Sequence, residues 1–361
     1  MTHTIVIAGG GTGGHLFPGI AIAEEFNRRE KGWEVIFIGT GKDLEKRMLP
    51  RWGFKLMTVP ALPLKGRSWW RKGMGIITLL QGVWISRGLL RRIAPRLVIG
   101  LGGYAAGSVI IAATLLRIQR VIQEQNVYPG LTNRMAARFA QRVFLSWKEG
   151  TRFFPQKKVR VTGNPLRRGI LTGRGKKRAG RPFTILILGG SQGAAAINKA
   201  MIEALAALEE IAQDLRIIHQ TGKEHYGWVK GKYKGKGVEV SVYPFIDEMA
   251  PCYHEAHLVI CRAGATTITE LCAWGRASIL IPYPYAADDH QRKNAQVLVD
   301  HGAGRMILNA ELSGKRLAEE ILLLYHNRKA LQAMETGAAS LGRPDAAPRI
   351  VDECYHLLGL N

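Results

Sequence analysis

The chain has 361 residues, of which 47% are hydrophobic. This length and composition exclude a disordered protein and predict a soluble enzyme with two domains of similar size. Lys and Arg number 51 against 28 Asp and Glu, a formal net charge of +23, which predicts an anionic partner: nucleic acid, an acidic lipid surface or a phosphorylated substrate.

Short β-rich runs alternate with helical patterns along the first half of the chain. The runs predicted as strands read TIVIAG, EVIFIG, PRLVIGLGG, RVIQEQN and QRVFLS, with a helix through Glu25 after the first and another from about Ser108. Such alternation is typical of parallel βαβ units. Residues 97–116 are uncharged and long enough to span a membrane, but the glycines from Gly100 to Gly107 predict a strand, a turn and a helix instead.

The alternation stops near Asn164 and Pro165, where the charged, glycine-rich segment LRRGILTGRGKKRAGRP follows. Such a segment indicates a domain boundary. The second half repeats the pattern with FTILILGG, LRIIHQTG, VEVSVYPF, HLVICRAG and ASILIPYP, and it ends in a helical stretch. The sequence therefore predicts two similar α/β domains that face each other.

The four cysteines are spaced neither as metal ligands nor as the disulfide framework of a secreted protein. The chain opens directly into an apolar strand, without the pattern of a signal peptide. Both observations favour a reducing cytoplasm.

The first glycine turn, AGGGTGG, lies between a predicted strand and a predicted helix. Gly9, Gly11 and Gly14 match the dinucleotide fingerprint G-x-G-x-x-G, which would indicate a nicotinamide-dependent dehydrogenase. Such an enzyme needs an acidic residue at the end of the second strand to bind the ribose, and that strand ends in Gly39 and Thr40. The turn is therefore interpreted as a general anion-binding site, in which backbone N–H groups and a helix N-terminus can approach an anion.

The second glycine turn, LILGGSQGAAAIN, has the same strand–glycine–helix order in the second half of the chain. Ser191 can add its hydroxyl to the backbone N–H groups around a phosphate. Gly189, Ser191 and Gly193 also match the G-x-S-x-G elbow of serine hydrolases, a less favoured alternative because that mechanism has no use for a matching glycine turn in the other half.

Two further stretches of the second half carry polar side chains suited to a sugar nucleotide. In CRAGATTITE, small residues and hydroxyls precede a helix with Glu270, whose carboxylate can accept both hydroxyls of a ribose, although an ordinary helix start gives the same pattern. DDHQRKNAQ can bind a hydroxyl-rich ligand or be a solvated helix start.

Residues 46–123 contain Lys and Arg but no acidic residue, and an amphipathic helix is predicted within them. Tryptophans, a cationic rim and an apolar stripe are typical of a helix that docks on anionic lipid headgroups. The alternative is an ordinary amphipathic helix packed on the protein's own core, which would show the same periodicity. The residues predicted to contact a membrane are Trp69, Trp70, Ile76, Leu79, Leu80, Val83 and Trp84.

Eight motifs follow one another along nearly the whole chain: GGGTGGHLFPGIAIAEEF, GGYAAG, QEQNVYPGLTN, TGNPLR, GGSQGAAAIN, FIDEMAPCY, CRAGATTITE and DDHQRKNAQ. In these motifs and their order the sequence resembles the MurG glycosyltransferases. One departure is Gln123, where many members have His before EQN.

The resemblance implies a glycosyltransferase B fold, an α/β architecture of two facing Rossmann-like domains with parallel sheets. The N-terminal domain, residues 1–163 joined by the C-terminal helix at about 345–361, would bind the acceptor and dock on the membrane. Residues 164–344 would bind the donor, UDP-N-acetylglucosamine.

The resemblance also implies the reaction. N-acetylglucosamine would pass with inversion to the C4 hydroxyl of the muramoyl sugar of lipid I, the undecaprenyl-diphosphate-linked muramoyl-pentapeptide, which forms lipid II for peptidoglycan, cell shape and division. The enzyme would be peripheral on the cytoplasmic face of the bacterial inner membrane, with no nucleic acid as partner and with other cell-wall synthesis proteins as candidates. No cofactor or metal is expected, since the chain has no Asp-x-Asp motif.

Two alternatives stay open at this point. A glycosyltransferase of the same fold that acts on a diacylglycerol-type acceptor would share most of these features, although the EQN and GNPLR stretches favour lipid I. A nucleic-acid-binding protein would explain the charge, but the chain has no recognition motif for one.

By position in the matched motifs, the resemblance assigns ligand contacts to residues of both halves. The residues expected to bind the donor are Thr12, Gly13, Gly14, Asn126, Arg167, Ser191, Ile246 through its main chain, Ala265, Thr266, Thr267, Ile268, Thr269, Glu270 and Gln291. The residues expected at the acceptor diphosphate are Gly13, Gly14, Gly102, Gly103 and Tyr104.

His15 follows the first glycine turn directly and is the candidate general base for the acceptor hydroxyl. An imidazole suits this task because it exchanges protons near neutral pH. The alternative is a scaffold role, in which the ring is hydrogen-bonded to the turn and transfers no proton.

Overall fold

The computed structural model of the protein describes residues 3–29, 32–61, 69–176, 180, 182–190 and 192–360, with the backbone alone for residues 69–76. The chain divides into two compact units. The first consists of Met1–Arg167 with Pro344–Asn361, and the second of Arg168–Arg343.

The strands of the described residues are β1 (His3–Ala8), β2 (Trp33–Gly39), β3 (Lys55–Thr58), β4 (Leu97–Gly100), β5 (Gln119–Glu124), β6 (Arg142–Leu145), β7 (Val159–Val161), β8 (Phe183–Leu188), β9 (Leu215–Gln220), β10 (Glu239–Tyr243), β11 (Leu258–Cys261), β12 (Ala277–Leu280) and β13 (Gly304–Met306).

The helices of the described residues are α1 (Gly13–Arg29), α2 (Asp43–Arg51), α3 (Trp69–Ile93), α4 (Gly103–Leu115), α5 (Leu131–Ala136), α6 (Arg168–Leu171), α7 (Ala195–Ala204), α8 (Tyr226–Tyr233), α9 (Met249–Glu255), α10 (Ala265–Trp274), α11 (His290–Asp300), α12 (Gly314–His326), α13 (Arg328–Leu341) and α14 (Ala346–Leu357). Short 3-10 helices lie at Lys148–Phe153, Gln156–Lys158, Glu209–Asp214 and Ala287–Asp289.

Each unit is built on one parallel sheet with the same strand order. The first sheet runs β3-β2-β1-β4-β5-β6-β7 and the second runs β10-β9-β8-β11-β12-β13. In both sheets the first strand of the unit lies at the centre, with the second strand on one side and the fourth on the other. This is the doubly wound order of Rossmann-like domains, in which ligands bind beyond the carboxyl ends of the strands where the order reverses.

Continuous apolar runs form the central strands because helices cover both faces of each sheet. All four residues of β4, β11 and β12 are buried, and so are all six of β8. The edge strands β3, β7 and β13 have three or four residues and are only partly buried. The ten strands predicted from the sequence are present. These three were missed because they lack a long apolar run, whereas the fourth edge strand, β10, has five residues and was predicted.

The stretch at residues 97–116 forms β4, a glycine turn and α4, as predicted. Helix α4 begins at Gly103 rather than near Ser108, since both glycines of the turn, Gly102 and Gly103, have positive φ and complete it within two residues. In the described part of the chain, no helix is long and apolar enough to span a membrane.

The C-terminal helix α14 packs against α1 in the first unit. Ile350, Val351 and Cys354 are fully buried in the same apolar cluster as Phe26. At the rim, Trp33 Nε1 donates to the hydroxyl of Tyr355 at 2.7 Å. The last residues of the chain therefore complete the core that begins with β1.

Gly19 lies in the middle of α1, where the helix touches the sheet. A Cβ at this position would lie 2.5 Å from Leu101 Cδ1, 3.1 Å from Phe37 Cε1 and 3.2 Å from Ile7 Cγ2, all of them in fully buried side chains. We expect Gly19→Ala to lower the free energy of unfolding by about 1 to 3 kcal/mol through overpacking, although alanine favours helices.

Gly88→Ala is the matched control, because Gly88 is exposed on α3 with no atom within 4 Å of the added Cβ. This variant should gain up to about 1 kcal/mol from helix propensity. Urea unfolding measures both variants. Equal effects of the two substitutions would contradict the packing of α1 on the sheet.

Candidate active site

The loops that follow β1 and β4 meet at the switch point of the first sheet. Gly9 directly follows β1, and a Cβ there would lie 2.7 Å from the carbonyl oxygen of Gly102, the residue that precedes α4. Two backbones can approach this closely only at glycine. The predicted residues Gly13, Gly14, Gly102 and Gly103 therefore lie at two neighbouring helix N-termini, which favour anions.

His15 lies in the first turn of α1, between these two loops. Its Nδ1 is 3.2 Å from Thr12 Oγ1, and its Nε2 would be 3.2 Å from a Cβ at Gly102. The tautomer that carries its proton on Nδ1 donates to Thr12 and keeps a lone pair on Nε2, the form that a general base needs. The geometry is therefore compatible with both roles considered for His15.

Glu124 ends β5 and organises the EQN segment from inside the protein. Its Oε1 accepts from the N–H and the side-chain amide of Asn126 at 3.0 and 3.2 Å, and its Oε2 accepts from Gly130 N–H and Asn133 Nδ2 at 3.1 and 2.9 Å. Burial raises the pKa of the Glu124 carboxyl, although these donors act against that shift. The position of Asn126, a predicted donor contact, is thus set by the carboxyl of Glu124, for which the sequence analysis predicted no role.

Gln123 connects three segments of the first unit. It is fully buried; its Nε2 donates to Asn164 Oδ1 at 3.1 Å and to Ser146 Oγ at 3.4 Å, and its Oε1 accepts from Gln125 Nε2 at 2.5 Å. An amide supplies both a donor and an acceptor, as a neutral imidazole does. The departure from the resembled family therefore retains the hydrogen-bonding capacity between EQN and GNPLR.

Two other predicted residues of the first unit lie close to the loops. The guanidinium of Arg167 stacks over the ring of Phe17 at 4.3 Å and over that of Trp52 at 5.2 Å. Phe17 in turn lies against Gly13, whose Cβ would be 3.0 Å from the ring. Arg167 belongs to the first unit, next to the start of α1, while Tyr104 is 43% exposed in the first turn of α4.

In the second unit, the glycine turn after β8 packs tightly on the end of β9. A Cβ at Gly193 would lie 2.0 Å from the Thr221 carbonyl oxygen, and one at Gly222 would lie 2.1 Å from that of Gln192. The turn leads into α7, and the neighbouring segment is held by Gln220, whose Nε2 donates to Gly190 O at 2.7 Å.

Gln220 also contacts Ile246, a residue predicted to bind the donor through its main chain. The Oε1 of Gln220 accepts from Ile246 N–H at 3.2 Å, and the Ile246 side chain is buried. Since this N–H is already bonded, the main-chain group of Ile246 that can bind a ligand is its carbonyl. Gln220 was missed by the sequence analysis, because an amide at the end of a strand carries no motif.

The residues 265–269 form the start of α10, and their side chains divide into two sets. Ile268 is fully buried, and Thr269 Oγ1 donates to Ala265 O at 2.8 Å, so these side chains belong to the fold itself. Thr266 Oγ1 is buried without a hydrogen-bond partner among the described residues. This hydroxyl at the helix N-terminus is therefore free to bond a ligand group.

Glu270 is held by a tyrosine from the preceding helix. Tyr253 on α9 donates its hydroxyl to Glu270 Oε2 at 2.7 Å, and both side chains are buried. Burial and the adjacent carboxylate raise the pKa of Tyr253 well above its ordinary value, so the tyrosine stays a donor. This bond orients the predicted ribose contact.

The DDHQ segment contains strained backbone next to a predicted sugar contact. Asp288 and Asp289 both have φ of 54°, which is uncommon for residues other than glycine. Gln291 Oε1 accepts from Tyr283 N–H at 2.9 Å, and this bond fixes the start of α11 to the preceding loop. Strain of this type is concentrated at ligand-binding sites.

Helix α3 presents an apolar stripe to solvent. Ile77, Leu80 and Trp84 are 58%, 64% and 76% exposed, whereas Leu79 and Val83 are half-buried and Val83 packs on the core. Ile77 was not among the predicted contacts. Ser191 and the side chains of Trp69, Trp70 and Ile76 lie outside the described residues.

No group of three or more His, Cys, Asp or Glu side chains in the described ranges could hold a metal ion.

Comparison with known proteins identifies the class. The chain matches the N-terminal domain of glycosyltransferase family 28 over residues 5–145 and the C-terminal domain of that family over residues 184–350. The protein therefore belongs to glycosyltransferase family 28, and the predicted α/β fold with two Rossmann-like domains and parallel sheets is confirmed.

Within that family the chain belongs with the MurG enzymes. A protein of Geobacter sp. (strain M21) is 48% identical over 96% of this chain and 94% of its own, and one of Syntrophus aciditrophicus (strain SB) is 46% identical over the whole of both chains. Both are named UDP-N-acetylglucosamine--N-acetylmuramyl-(pentapeptide) pyrophosphoryl-undecaprenol N-acetylglucosamine transferase. The crystal structure of MurG from Acinetobacter baumannii, 30% identical, matches with a TM-score of 0.79 over 97% of this chain and 98% of that one.

A buried histidine beside the second glycine turn has a structural role. His219 is fully buried, with Nε2 3.0 Å from Asn198 Oδ1 and Nδ1 2.8 Å from the Tyr233 hydroxyl. Burial lowers the pKa of His219 to about 3. The neutral ring therefore links α7, β9 and α8.

This pKa predicts a pH dependence of stability. Because the folded pKa lies below the ordinary value of 6.5, the contribution of His219 is complete above about pH 6.5 and is lost as the pH falls toward 3. We expect unfolding free energy to fall over this range by up to about 1.4 kcal/mol per pH unit from this group.

Urea unfolding at several pH values measures this slope in the wild type and in His219→Gln, in which it should be smaller. His326→Gln is the control, because His326 is exposed beside Glu210. A slope that is unchanged in His219→Gln would show that another group causes the acid sensitivity.

Proposed function

We propose that this protein transfers N-acetylglucosamine, with inversion, from UDP-N-acetylglucosamine to the C4 hydroxyl of the muramoyl sugar of lipid I and so forms lipid II for peptidoglycan synthesis. The observation that carries the proposal is the 46 to 48% identity, over nearly entire chains, to transferases named for this donor and acceptor. In this role the enzyme would serve cell-wall growth, and through it cell shape and division.

The first unit would bind the acceptor. Its diphosphate would be met by the N-termini of α1 and α4 at Gly13, Gly14, Gly103 and Tyr104, where N–H groups and helix dipoles favour negative charge. The adjacent His15 Nε2 would accept the proton of the C4 hydroxyl, while Thr12 accepts a hydrogen bond from Nδ1–H.

The second unit would bind the donor. Glu270, oriented by Tyr253, would accept the ribose hydroxyls, and Thr266 would gain the hydrogen-bond partner that it otherwise lacks in the described chain. As the C4 oxygen forms its bond to the anomeric carbon, the bond to the diphosphate breaks and UDP leaves with the negative charge. Ser191 and the N-terminus of α7 would stabilise that charge.

Asn126, Arg167, Ile246 and Gln291 would complete the donor contacts, together with Gly13, Gly14 and the main chain at 265–269. No metal is invoked in this mechanism, because helix N-termini supply the positive potential.

The test is transfer of labelled N-acetylglucosamine from UDP-N-acetylglucosamine to a lipid I analogue without added metal, for the wild type and for His15→Ala. We expect activity in the wild type and a loss of about 100-fold or more in the variant, since general bases contribute at least that factor. A folded wild type without transfer to an accepted analogue would refute the assignment of lipid I. A diacylglycerol acceptor, tested in parallel, distinguishes the related lipid glycosyltransferases.

We also propose that the enzyme binds the cytoplasmic face of the inner membrane as a peripheral protein. Support comes from the exposed stripe Ile77, Leu80 and Trp84 on α3, which ends in Arg91 and Arg92, both exposed. Apolar side chains enter the acyl boundary while cations face anionic headgroups. Trp69, Trp70, Ile76, Leu79 and Val83 remain predicted contacts of the same surface.

Replacing Ile77, Leu80 and Trp84 together by Ser should weaken sedimentation with phosphatidylglycerol vesicles at least tenfold, since tenfold corresponds to about 1.4 kcal/mol and each buried side chain contributes about that much or more. Trp228→Ser is the matched control, because Trp228 is 44% exposed on α8 of the other unit. Equal binding of the triple variant and the wild type would refute docking through α3.

A further inference from the structure

A buried carboxylate lies directly under the first glycine turn. Glu45 on α2 is 1% exposed. Its Oε1 accepts from Gly11 N–H at 2.5 Å and from Thr40 Oγ1 at 3.3 Å, and its Oε2 accepts from Gly41 and Lys42 N–H at 2.6 and 3.2 Å. One side chain thus joins the loop after β1 to the loop after β2.

This carboxylate fills the space beside the turn and takes the place that an external anion would need in order to bind the N–H of Gly11. A Cβ at Gly10 would lie 2.1 Å from Glu45 Oε1, and one at Gly39 would lie 2.7 Å from Oε2. The N–H of Gly11 is already a donor to an internal anion. A substrate diphosphate therefore cannot use this part of the turn, and the helix N-termini remain for it.

The bond to Gly11 also acts on His15. Thr12 follows Gly11, its carbonyl accepts from His15 N–H at 3.2 Å, and its hydroxyl contacts His15 Nδ1 at 3.2 Å. Gly10 and Gly11, with φ of 150° and 84°, leave this segment free to adopt other conformations unless it is held. The hydrogen bond from Gly11 to Glu45 supplies that restraint.

We propose that Glu45 is a positioning residue for the transfer reaction: it replaces a bound anion inside the glycine turn and so fixes Thr12 and the imidazole of His15 for the acceptor hydroxyl. The inference rests on the proposed function, and it adds to it a residue that touches neither substrate. Misplacement of a reacting group by about 1 Å can cost about 100-fold in rate.

The experiment compares the steady-state kinetics of full-length Glu45→Gln, Glu45→Asp and wild type, per amount of folded enzyme, with both substrates varied. In Glu45→Gln, the NH2 group of the side-chain amide replaces one carboxylate oxygen and places a donor against backbone N–H groups that also donate. Asp keeps the charge and can still reach Lys42 N–H, but it is one methylene too short to hold Gly11 as well. We expect kcat to fall about 10- to 100-fold in Gln and about tenfold in Asp.

The two Michaelis constants separate a positioning role from a loss of stability. The KM for the lipid acceptor should rise more than that for UDP-N-acetylglucosamine. The acceptor diphosphate is proposed to bind at Gly13 and Gly14, which directly follow the restrained turn, whereas the ribose contacts Thr266 and Glu270 of the donor lie in the second unit. Glu34→Gln is the control; Glu34 pairs with Lys55 at 2.6 Å on the surface of the same sheet, and its replacement should leave all constants unchanged.

Unchanged kcat and KM values in both Glu45 variants, beside an active wild type, would overturn the proposal and leave the proposed function intact. Variants that fail to fold would also overturn it, since Glu45 would then be a requirement of the fold. A wild type without transfer would instead refute the function itself.

Discussion

The candidate site of each unit depends on backbone segments that approach more closely than any side chain permits. Gly9 lies against the carbonyl of Gly102 in the first unit, and Gly193 lies against that of Thr221 in the second, with an added Cβ at 2.7 and 2.0 Å. In the first unit this contact joins the loops after β1 and β4 and brings the N-termini of α1 and α4 together where the strand order reverses. In the second unit it joins the loops after β8 and β9, beside the N-terminus of α7.

Buried polar side chains then hold these loops in place. Glu45 and Glu124 are each 1% exposed and Gln220 is 4% exposed, and each accepts or donates hydrogen bonds to more than one loop. A buried polar group without partners costs about 1 to 3 kcal/mol, so each such group strongly favours the one loop arrangement that satisfies it. Thr266 is different: its hydroxyl has no partner in the described chain, so it is the group for which the donor role is proposed.

Prediction from the sequence succeeded where one physical signal was strong. Central strands such as β4 and β8 are apolar throughout because both faces are covered, and they were found. The edge strands β3, β7 and β13 were missed because each has only three or four residues, too few for a clear pattern, so that pairing with the neighbouring strand decides their conformation. His15 and Glu270 were proposed as site residues through motifs, whereas Tyr253 and Gln220 received no role because their partners are 17 and 26 residues away along the chain.

The sequence by itself determined the doubly wound architecture, the glycine turns and the family, since these depend on local periodicity, on residues without a side chain and on motifs in a given order. Only the tertiary structure decided which turn amides are available to a ligand. Gly11 and Ile246 look equally available in the sequence, yet the N–H of one donates to Glu45 and that of the other to Gln220. A hydrogen bond between residues distant along the chain depends on the packing of the elements that carry them, and no local pattern encodes that packing.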